Sequence, residues 1–588
     1  MLRRPYQIAL VIIAVFSVYY MSIFAELCAV DDSSVMLEFF NAKDTSFMQI
    51  FMPRVVEGGY YRPLIPLSYL INLRIWDLNN SMLHMENVLL HVANAILVFF
   101  LTLYLLPKVN RDKSYIPIFA AIIFGLHPIT TESVNWISGR TDIIAGFFVL
   151  ISSLFVVRFK RTGSKGALFG AVLSVLMGLL GKEAALGFIP GAFFLFAASD
   201  KTDSPILDKI LRFTFKQTLF LILLIGSTIM IELLFFNFLI LFVTIPLFAS
   251  LLYYRHKDKN EHGTFISDIT SHMAGIIITL FVAIGLFIAT RQMVFVSSIA
   301  RIPQTIKLMG QDINYTLSIF LESTGFYLKK FFIPIPLNFA IREVDPLYAI
   351  LGTIIVFIGI MFVTSRSVPT ALALTGFFMF TPALPLAFGK IAWTAYAERY
   401  IYISAAFWSV AMVIWLNSRI KTFEKHLNLF FITLIIVLAG VTIGRNLTWQ
   451  TNMGLIRDTV SKSPYFLGTR IMYMGLLIDS GKYKEAREQF VVASSLPMFP
   501  YDERLDSNMA VLLLKEEKND EALRIYEKIL EKTKGGSSNA RGQIINILKN
   551  KIQKEKDPEL LKNLVLKLGN INKANTPIKN LNKPSSKS

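Results

Sequence analysis

A single cysteine, Cys28, stands in 588 residues, so no disulfide can form within the chain. That scarcity leaves the redox compartment open. Charge is also scarce. Only 17% of residues are Asp, Glu, Lys or Arg, against about 25% in soluble globular chains. An ordinary soluble protein is therefore excluded as a description of the whole. What replaces charge is apolar sequence, 54% of the chain. It is gathered into runs of about 20 residues, the length a helix needs to cross a bilayer. The run after Met1-Leu2-Arg3-Arg4 lacks a small-residue cleavage site and is followed by further runs, which reads as a first span and not as a signal peptide.

The expected fold is all-α, a polytopic membrane helix bundle. Spans are expected near 7–30, 83–106, 115–126, 142–157, 166–180, 184–198, 217–234, 236–254, 273–290, 347–364, 369–388, 399–416 and 427–443, the third extending past Pro128. The net charge of +18 first suggests nucleic acid. The excess lies instead in short loops such as KVNRDK, RFKRTGSK, RHKDK and NSRIKTFEKH, and in a Lys-rich tail. Positive short loops face the cytoplasm, so no nucleic-acid partner is expected. The same rule puts the N-terminus in the cytoplasm and the C-terminus outside. Segment 311–331 carries Asp312, Glu322, Lys329 and Lys330 and reads as an outer-surface helix; were it to cross, the C-terminus would move inside.

After Arg445 the composition becomes that of a soluble domain. Tyr473–Phe490 and Asn508–Tyr526 look alike and recur 35 to 36 residues apart, each with Glu-Ala at the same place. This resembles tetratricopeptide repeats, whose period is about 34; a plain helical hairpin domain is the alternative. The expected organisation is a membrane domain over 1–445 with a first outer loop at 31–82, a repeat-like helical domain over 446–569, and a disordered basic tail over 570–588.

Charges near membrane helices are costly, about 2.5–3.5 kcal/mol at a helix centre, so each needs a reason. Asp31 and Asp32 follow the first span directly. They are either a solvated helix end or a pair in which one carboxylate acts as base while the other tunes it or binds metal. Arg62, in YYRPLIPLSYL, is an outer cation, either snorkelling or gripping phosphate. His84, Asn87, His91 and Asn94 share one helix face. They are either helix–helix glue or substrate contacts. No cysteine or third histidine lies near in sequence, which disfavours zinc. The stretch Phe124–Phe147 packs His127, Glu132, Trp136, Arg140 and Asp142 between two apolar runs and reads as an outer hairpin lowered toward the membrane. Lys182–Glu183, Glu398–Arg399–Tyr400 and Arg445 complete the outer set. Each pair could neutralise itself. Five outer cations, Arg62, Arg140, Lys182, Arg399 and Arg445, are explained more economically by one shared anionic ligand. Carboxylates for base or metal work beside cations for phosphate fit a lipid-phosphate-linked sugar donor.

The stretches DDSSVMLEFFN, YYRPLIPLSYL, MENVLLHVANAILV, LHPITTESVNWISGRTDIIAGFFVL, GKEAALGFIP and AERYIYI follow one another in order. They resemble the transmembrane and tetratricopeptide-repeat O-mannosyltransferase family of the C-type glycosyltransferase superfamily. The likeness is good over about 5–200 and fair over 390–450. The resemblance implies a membrane hexosyltransferase that uses a polyprenyl-phosphate sugar, mannose in the named family, and a protein hydroxyl acceptor on the outer face. It implies Asp31 as base with Asp32 supporting. It implies a donor-phosphate contact by Arg62, which precedes Pro63; the outer-cation pattern adds Arg140, Lys182, Arg399 and Arg445 as donor-phosphate contacts, and the resemblance assigns no individual roles to His127, Glu132, Arg140 and Asp142. The pocket would hold His84, His91, His127, Glu132, Asp142, Glu183, Glu398 and Tyr400. No cofactor is required by the motifs; some superfamily members use a divalent metal, Mg or Mn, and others do not. Implied partners are the lipid-linked donor, membrane lipid and a polypeptide held by the repeats. The compact form suggests a bacterial relative in an inner membrane, with the repeat domain periplasmic. Transfer to a lipid or glycan, a non-catalytic scaffold and a transporter remain as alternatives; a transporter predicts internal duplication of the spans, which the sequence does not display.

Overall fold

The computed structural model describes residues 3–33, 35–36, 46–51, 61–107, 114–198, 311–362, 367–389, 394–420, 424–496 and 501–573. The spans expected at 217–234, 236–254 and 273–290, and the basic tail beyond 573, lie outside the described residues. The chain divides into two compact units, Met1–Asn452 and Met453–Ser588.

The first unit is an all-α bundle, and its helices begin and end where local chemistry dictates. Helix α1 (Arg4–Tyr19) starts on Pro5, whose fixed φ suits the first turn. A short 3₁₀ turn, Tyr20–Phe24, follows. Helix α2 (Leu64–Trp76) precedes α3 (Asn80–Leu105), which is capped by the Asn79 side chain accepting from Met82 N. Helix α4 (Ile116–Gly125) breaks at Leu126–His127. The chain then re-forms, bent by 46°, as Pro128–Thr130 and the short α5 (Thr131–Asn135). Helix α6 (Arg140–Thr162) stops at Gly163, at φ +64°, and Ser164 then caps α7 (Lys165–Gly181). Helix α8 (Phe188–Ala197) follows, then α9 (Ile313–Phe332), α10 (Tyr348–Phe362), α11 (Val368–Phe380), α12 (Tyr402–Arg419) and α13 (Glu424–Thr448). Helices α9 and α10 pack at backbone contact: a Cβ on Gly325 would lie 2.0 Å from the Tyr348 carbonyl oxygen.

Among the described residues, six helices are long and apolar enough to cross a membrane: Arg4–Phe24, Asn80–Leu105, Ile137–Thr162, Val368–Phe388, Glu398–Arg419 and Lys425–Thr448. The bent pair around His127 makes a seventh if counted as one span. This is an integral, multi-pass membrane protein. The expected spans at 166–180, 184–198 and 347–364 are instead shorter apolar helices, and a fourth such helix, Leu64–Trp76, lies in the expected outer loop. The first span also ends at Phe24 and not near residue 30. Beyond Phe24 the backbone is drawn off into a loop, where Glu26 N donates to Gln450 O at 3.0 Å.

The second unit is a series of helix–turn–helix pairs: Leu467–Asp479 with Tyr483–Ser494, Glu503–Lys515 with Asn519–Lys532, and Ser538–Lys554 with Pro558–Lys573. The first two share one turn design. Lys482 N donates to Leu477 O at 2.8 Å, and Lys518 N to Leu513 O at 2.9 Å. Both turns pass through positive φ, at Gly481 and Glu517. The alanines of the two Glu-Ala pairs, Ala486 and Ala522, are fully buried. The third pair has the same outline without the sequence likeness.

Candidate functional site

The loop after the first span is built around Asp32. Its carboxylate is fully buried and accepts four hydrogen bonds. Oδ1 takes Ser138 N at 2.9 Å and Ser138 Oγ at 2.6 Å; Oδ2 takes Cys28 N at 3.1 Å and Ile137 N at 3.4 Å. Trp136 Nε1 donates to Val30 O at 3.0 Å on the same loop. Two adjacent acidic residues therefore have opposite fates. Asp32 faces inward and ties the loop to the turn before α6. Asp31 is exposed and sits in the left-handed region at φ +66°, a conformation that few L-residues other than Asn and Asp adopt readily. Burial pushes the Asp32 carboxyl up to about 6 against the lowering effect of its hydrogen bonds. Asp31 is pushed up in the same way, opposed by the positive charge of Arg399.

Arg399 leads to the rest of the cluster. Its guanidinium pairs with the fully buried Glu132 carboxylate, and its backbone N–H donates to Glu132 Oε2 at 3.0 Å. The guanidinium carbon lies 4.8 Å from the Trp136 ring centre and 4.9 Å from that of Tyr400. Across Tyr400 sits Lys182, with Nζ 5.7 Å from the ring centre and 2.6 Å from Asp142 Oδ2. The positive charges of Arg62 and Arg399 are both felt at Lys182. Arg62 in turn grips Glu183 with two nitrogens, at 3.1 Å and 2.6 Å. Lys330, at the end of α9, pairs with Glu398 at 3.0 Å, and Glu398 also accepts Asn338 N at 2.7 Å. Asp31, Arg62, Glu132, Asp142, Lys182, Glu183, Glu398, Arg399 and Tyr400 thus belong to one electrostatic neighbourhood.

Other expected residues are drawn to other places in the bundle. Arg140 is separated from the cluster because its guanidinium is fully buried and held by protein on every side: Asn87 Oδ1 at 2.7 Å, Leu83 O at 2.8 Å, Ser68 Oγ at 3.3 Å and Glu86 Oε2 at 3.0 Å. His91 lies inside the bundle, with Nδ1 2.8 Å from Tyr402 Oη and Nε2 3.0 Å from Gly125 O. It satisfies a carbonyl released where α4 breaks. Asn94 serves the same seam, donating to Ile143 O and Tyr402 Oη. His127 Nε2 meets Phe331 O at 2.8 Å, and its ring stacks on Phe331. His84 is buried near the Arg140 pocket. Arg445 lies over Trp449. The expected outer hairpin at 132–142 is a fully packed turn: a Cβ on Gly139 would come 2.7 Å from Ser133 O.

Three contributors were not among the expected site residues. Ser138 supplies two of the four bonds to Asp32. Trp136 bridges the acidic loop to Arg399. Lys330 neutralises Glu398. The Lys pair ending the amphipathic 313–332 helix was a usable signal for the last. Among the described residues no three His, Cys, Asp or Glu side chains gather, and Glu132, Asp142 and Glu183 each already face a cation.

No family profile matches the chain. Three curated relatives share part of it. A human protein named Protein O-mannosyl-transferase TMTC2 is 37% identical over 103 residues, 17% of this chain and 12% of the relative. The Mus musculus Protein O-mannosyl-transferase TMTC1 is 32% identical over 123 residues, 20% of this chain and 12% of the relative. The Caenorhabditis elegans Protein O-mannosyl-transferase F38B6.6 is 28% identical over 136 residues, 22% and 18%. The chain therefore spans less than a fifth of the length of these relatives.

Proposed function

We propose that this chain is a membrane glycosyltransferase. It moves a hexose, in the first instance mannose, from a polyprenyl-phosphate donor to a hydroxyl, Ser or Thr of a protein, on the outer face of the membrane. The carrying observation is that Asp31 is solvent-open and lies within the field of Arg399, in a neighbourhood that also holds Lys182 and Arg62. The names of the relatives support the same reaction class.

Asp31 acts as general base. It takes the proton as the acceptor oxygen attacks the anomeric carbon and the C1–O bond to phosphate breaks, with inversion. Its raised pKa strengthens it for that task. Asp32 holds the loop that carries it. Arg399, Lys182 and Arg62 meet the charge that grows on the leaving polyprenyl phosphate. The domain reading accompanies this: a catalytic bundle over 1–445 and repeat-like helices over 446–569 that hold the acceptor polypeptide. A bacterial inner membrane with a periplasmic second unit completes it.

The test is initial-rate release of polyprenyl phosphate from polyprenyl-phosphate mannose in membranes, with a Ser/Thr-rich peptide as acceptor. Asp31→Asn keeps the left-handed backbone, which Asn tolerates, and removes the base. A loss of about 10²–10⁴-fold is expected. Equal rates for the variant and wild type would remove Asp31 from the reaction. No release by wild type from any lipid-linked sugar would remove the activity.

A further inference from the structure

The loop that presents Asp31 is held from a second direction, by a residue four positions beyond the end of the last long apolar helix, Glu424–Thr448. Asn452 makes four hydrogen bonds to it. Its side-chain oxygen accepts Ala29 N at 2.7 Å. Its amide Nδ2 donates to Leu27 O at 2.9 Å and to Glu26 Oε2 at 3.2 Å. Its backbone N–H donates to the same Glu26 oxygen at 2.8 Å. One asparagine thus satisfies donors and acceptors on three residues of the loop, Glu26, Leu27 and Ala29. No other residue type of that size offers a donor and an acceptor on one planar group except Asp protonated on one oxygen. Gln450 works beside it: its carbonyl takes Glu26 N at 3.0 Å, and its side chain donates to Met21 O at 2.9 Å. On the far side the loop is fixed by Asp32 to Ser138 and by Val30 to Trp136. The backbone at Asp31, at φ +66°, lies between the two clamps.

A left-handed Asp does not hold itself; a lone residue there relaxes unless its surroundings over-determine it. The Asp32 clamp reaches back along this stretch only to Cys28 N, and the Gln450 carbonyl holds Glu26 N. Leu27 O and Ala29 N, in a segment that is not helical, are held by Asn452. We propose that Asn452 is a positioning residue for Asp31: it sets the height and direction of the base while touching neither donor nor acceptor. This rests on the reading of Asp31 as general base. The arrangement also links two distant ends of the chain.

The experiment uses the full chain in nanodiscs and has two readouts. The first is steady-state release of polyprenyl phosphate from polyprenyl-phosphate mannose. The second is amide hydrogen exchange at Leu27 to Val30, which needs no activity. Asn452→Ala is expected to lower kcat about 10–100-fold with KM for the donor within twofold, because Arg62, Lys182 and Arg399 stay in place. Exchange at Ala29 should rise at least tenfold. Asn452→Asp puts a carboxylate against Glu26 and Leu27 O, and should behave like the Ala variant. Adding Glu26→Gln supplies a donor opposite it and should recover part of kcat. Gln450→Ala loses only the bond to Met21 and should leave kcat unchanged. A lowered melting temperature with wild-type kcat in Asn452→Ala would overturn the proposal, leaving the residue merely structural. Equal exchange at Ala29 in variant and wild type would also overturn it. Raised exchange at Ala29 in Asn452→Ala, with no transfer even by the wild type, would instead leave the clamp standing and overturn the transferase reading.

Discussion

The Arg399–Glu132 pair offers the sharpest energetic test. Glu132 is fully buried, and Arg399 keeps 13% of its side chain exposed. Glu132→Gln is nearly isosteric. Its remaining oxygen can still accept the Arg399 backbone N–H, but its amide now faces the guanidinium, donor against donor. At an effective dielectric of about 20 and a separation of about 3 Å, the lost attraction is about 5 kcal/mol. Breaking one side of a buried pair typically costs about 3–5 kcal/mol. The two rings flanking the guanidinium, at 4.8 Å and 4.9 Å, remain in the variant. Being common to wild type and variant, these cation–π contacts cancel in the difference. The expected net loss is therefore about 3–5 kcal/mol for Glu132→Gln. Arg399→Met should lose a similar amount, because it strands a buried carboxylate. The double variant has neither orphan and should cost at least about 2 kcal/mol less than the sum of the singles. Heat the detergent-solubilised chain, measure the folded fraction by gel filtration, and run all four members of the cycle. Additivity within about 0.5 kcal/mol would refute the pair as the element that anchors Arg399.

Three further outcomes are expected. Asp32 takes its proton near pH 6 in the folded chain against an ordinary value of 3.8. The folded state therefore binds more protons between those values, and stability should fall as pH rises from about 4 to about 6, by up to about 3 kcal/mol; unfolding midpoints at pH 4.5 and 6.5 should differ less in Asp32→Asn than in wild type. Gly139→Ala drives a methyl to 2.7 Å from Ser133 O, a backbone atom with little room to yield. It should cost about 1–3 kcal/mol and loosen the Ser138 bonds to Asp32, readable as lower melting temperature together with lower transfer. Glu517 holds φ +61° at the turn where the preceding repeat has Gly481. Glu517→Gly should raise stability of the second unit by about 1 kcal/mol, seen as slower amide exchange in residues 503–532, and an unchanged rate would show that the left-handed turn stores nothing.

Much of this arrangement was legible in the chain. The apolar runs marked most of the long helices, because hydrocarbon burial demands length and little else. The 35-residue likeness marked two of the helical pairs, since the buried alanine and the left-handed turn leave the same residues at the same spacing. The clustering of Asp31 with Arg62, Lys182 and Arg399 could be guessed because like and unlike charges in outer positions need a common reason. What could not be read was the assignment of partners. Arg140 looks identical in sequence to Arg399, and only the third dimension gives the one Glu86, Asn87 and Leu83 O, and the other Glu132 and two rings. Asn452 was invisible for the same reason: its four bonds reach back more than 420 residues. The apolar helices expected at 166–180 and 184–198 are found as Lys165–Gly181 and Glu183–Phe196; hydropathy alone does not distinguish a full crossing from a shorter apolar helix packed inside a bundle.

Each cation of the cluster is already matched to a carboxylate of the protein: Arg62 to Glu183, Lys182 to Asp142, Arg399 to Glu132. An incoming anion therefore meets no bare positive field. It must compete with tethered carboxylates whose effective concentration is set by the fold. Dilute inorganic phosphate is poorly equipped for that contest. A phosphate attached to a hydrocarbon chain is not, because confinement to the same thin layer raises its own local concentration by the same logic. Under the proposed lipid-linked donor, the matched ion pairs would act as a filter for how the ligand is delivered, favouring what arrives dissolved in lipid over what arrives dissolved in water.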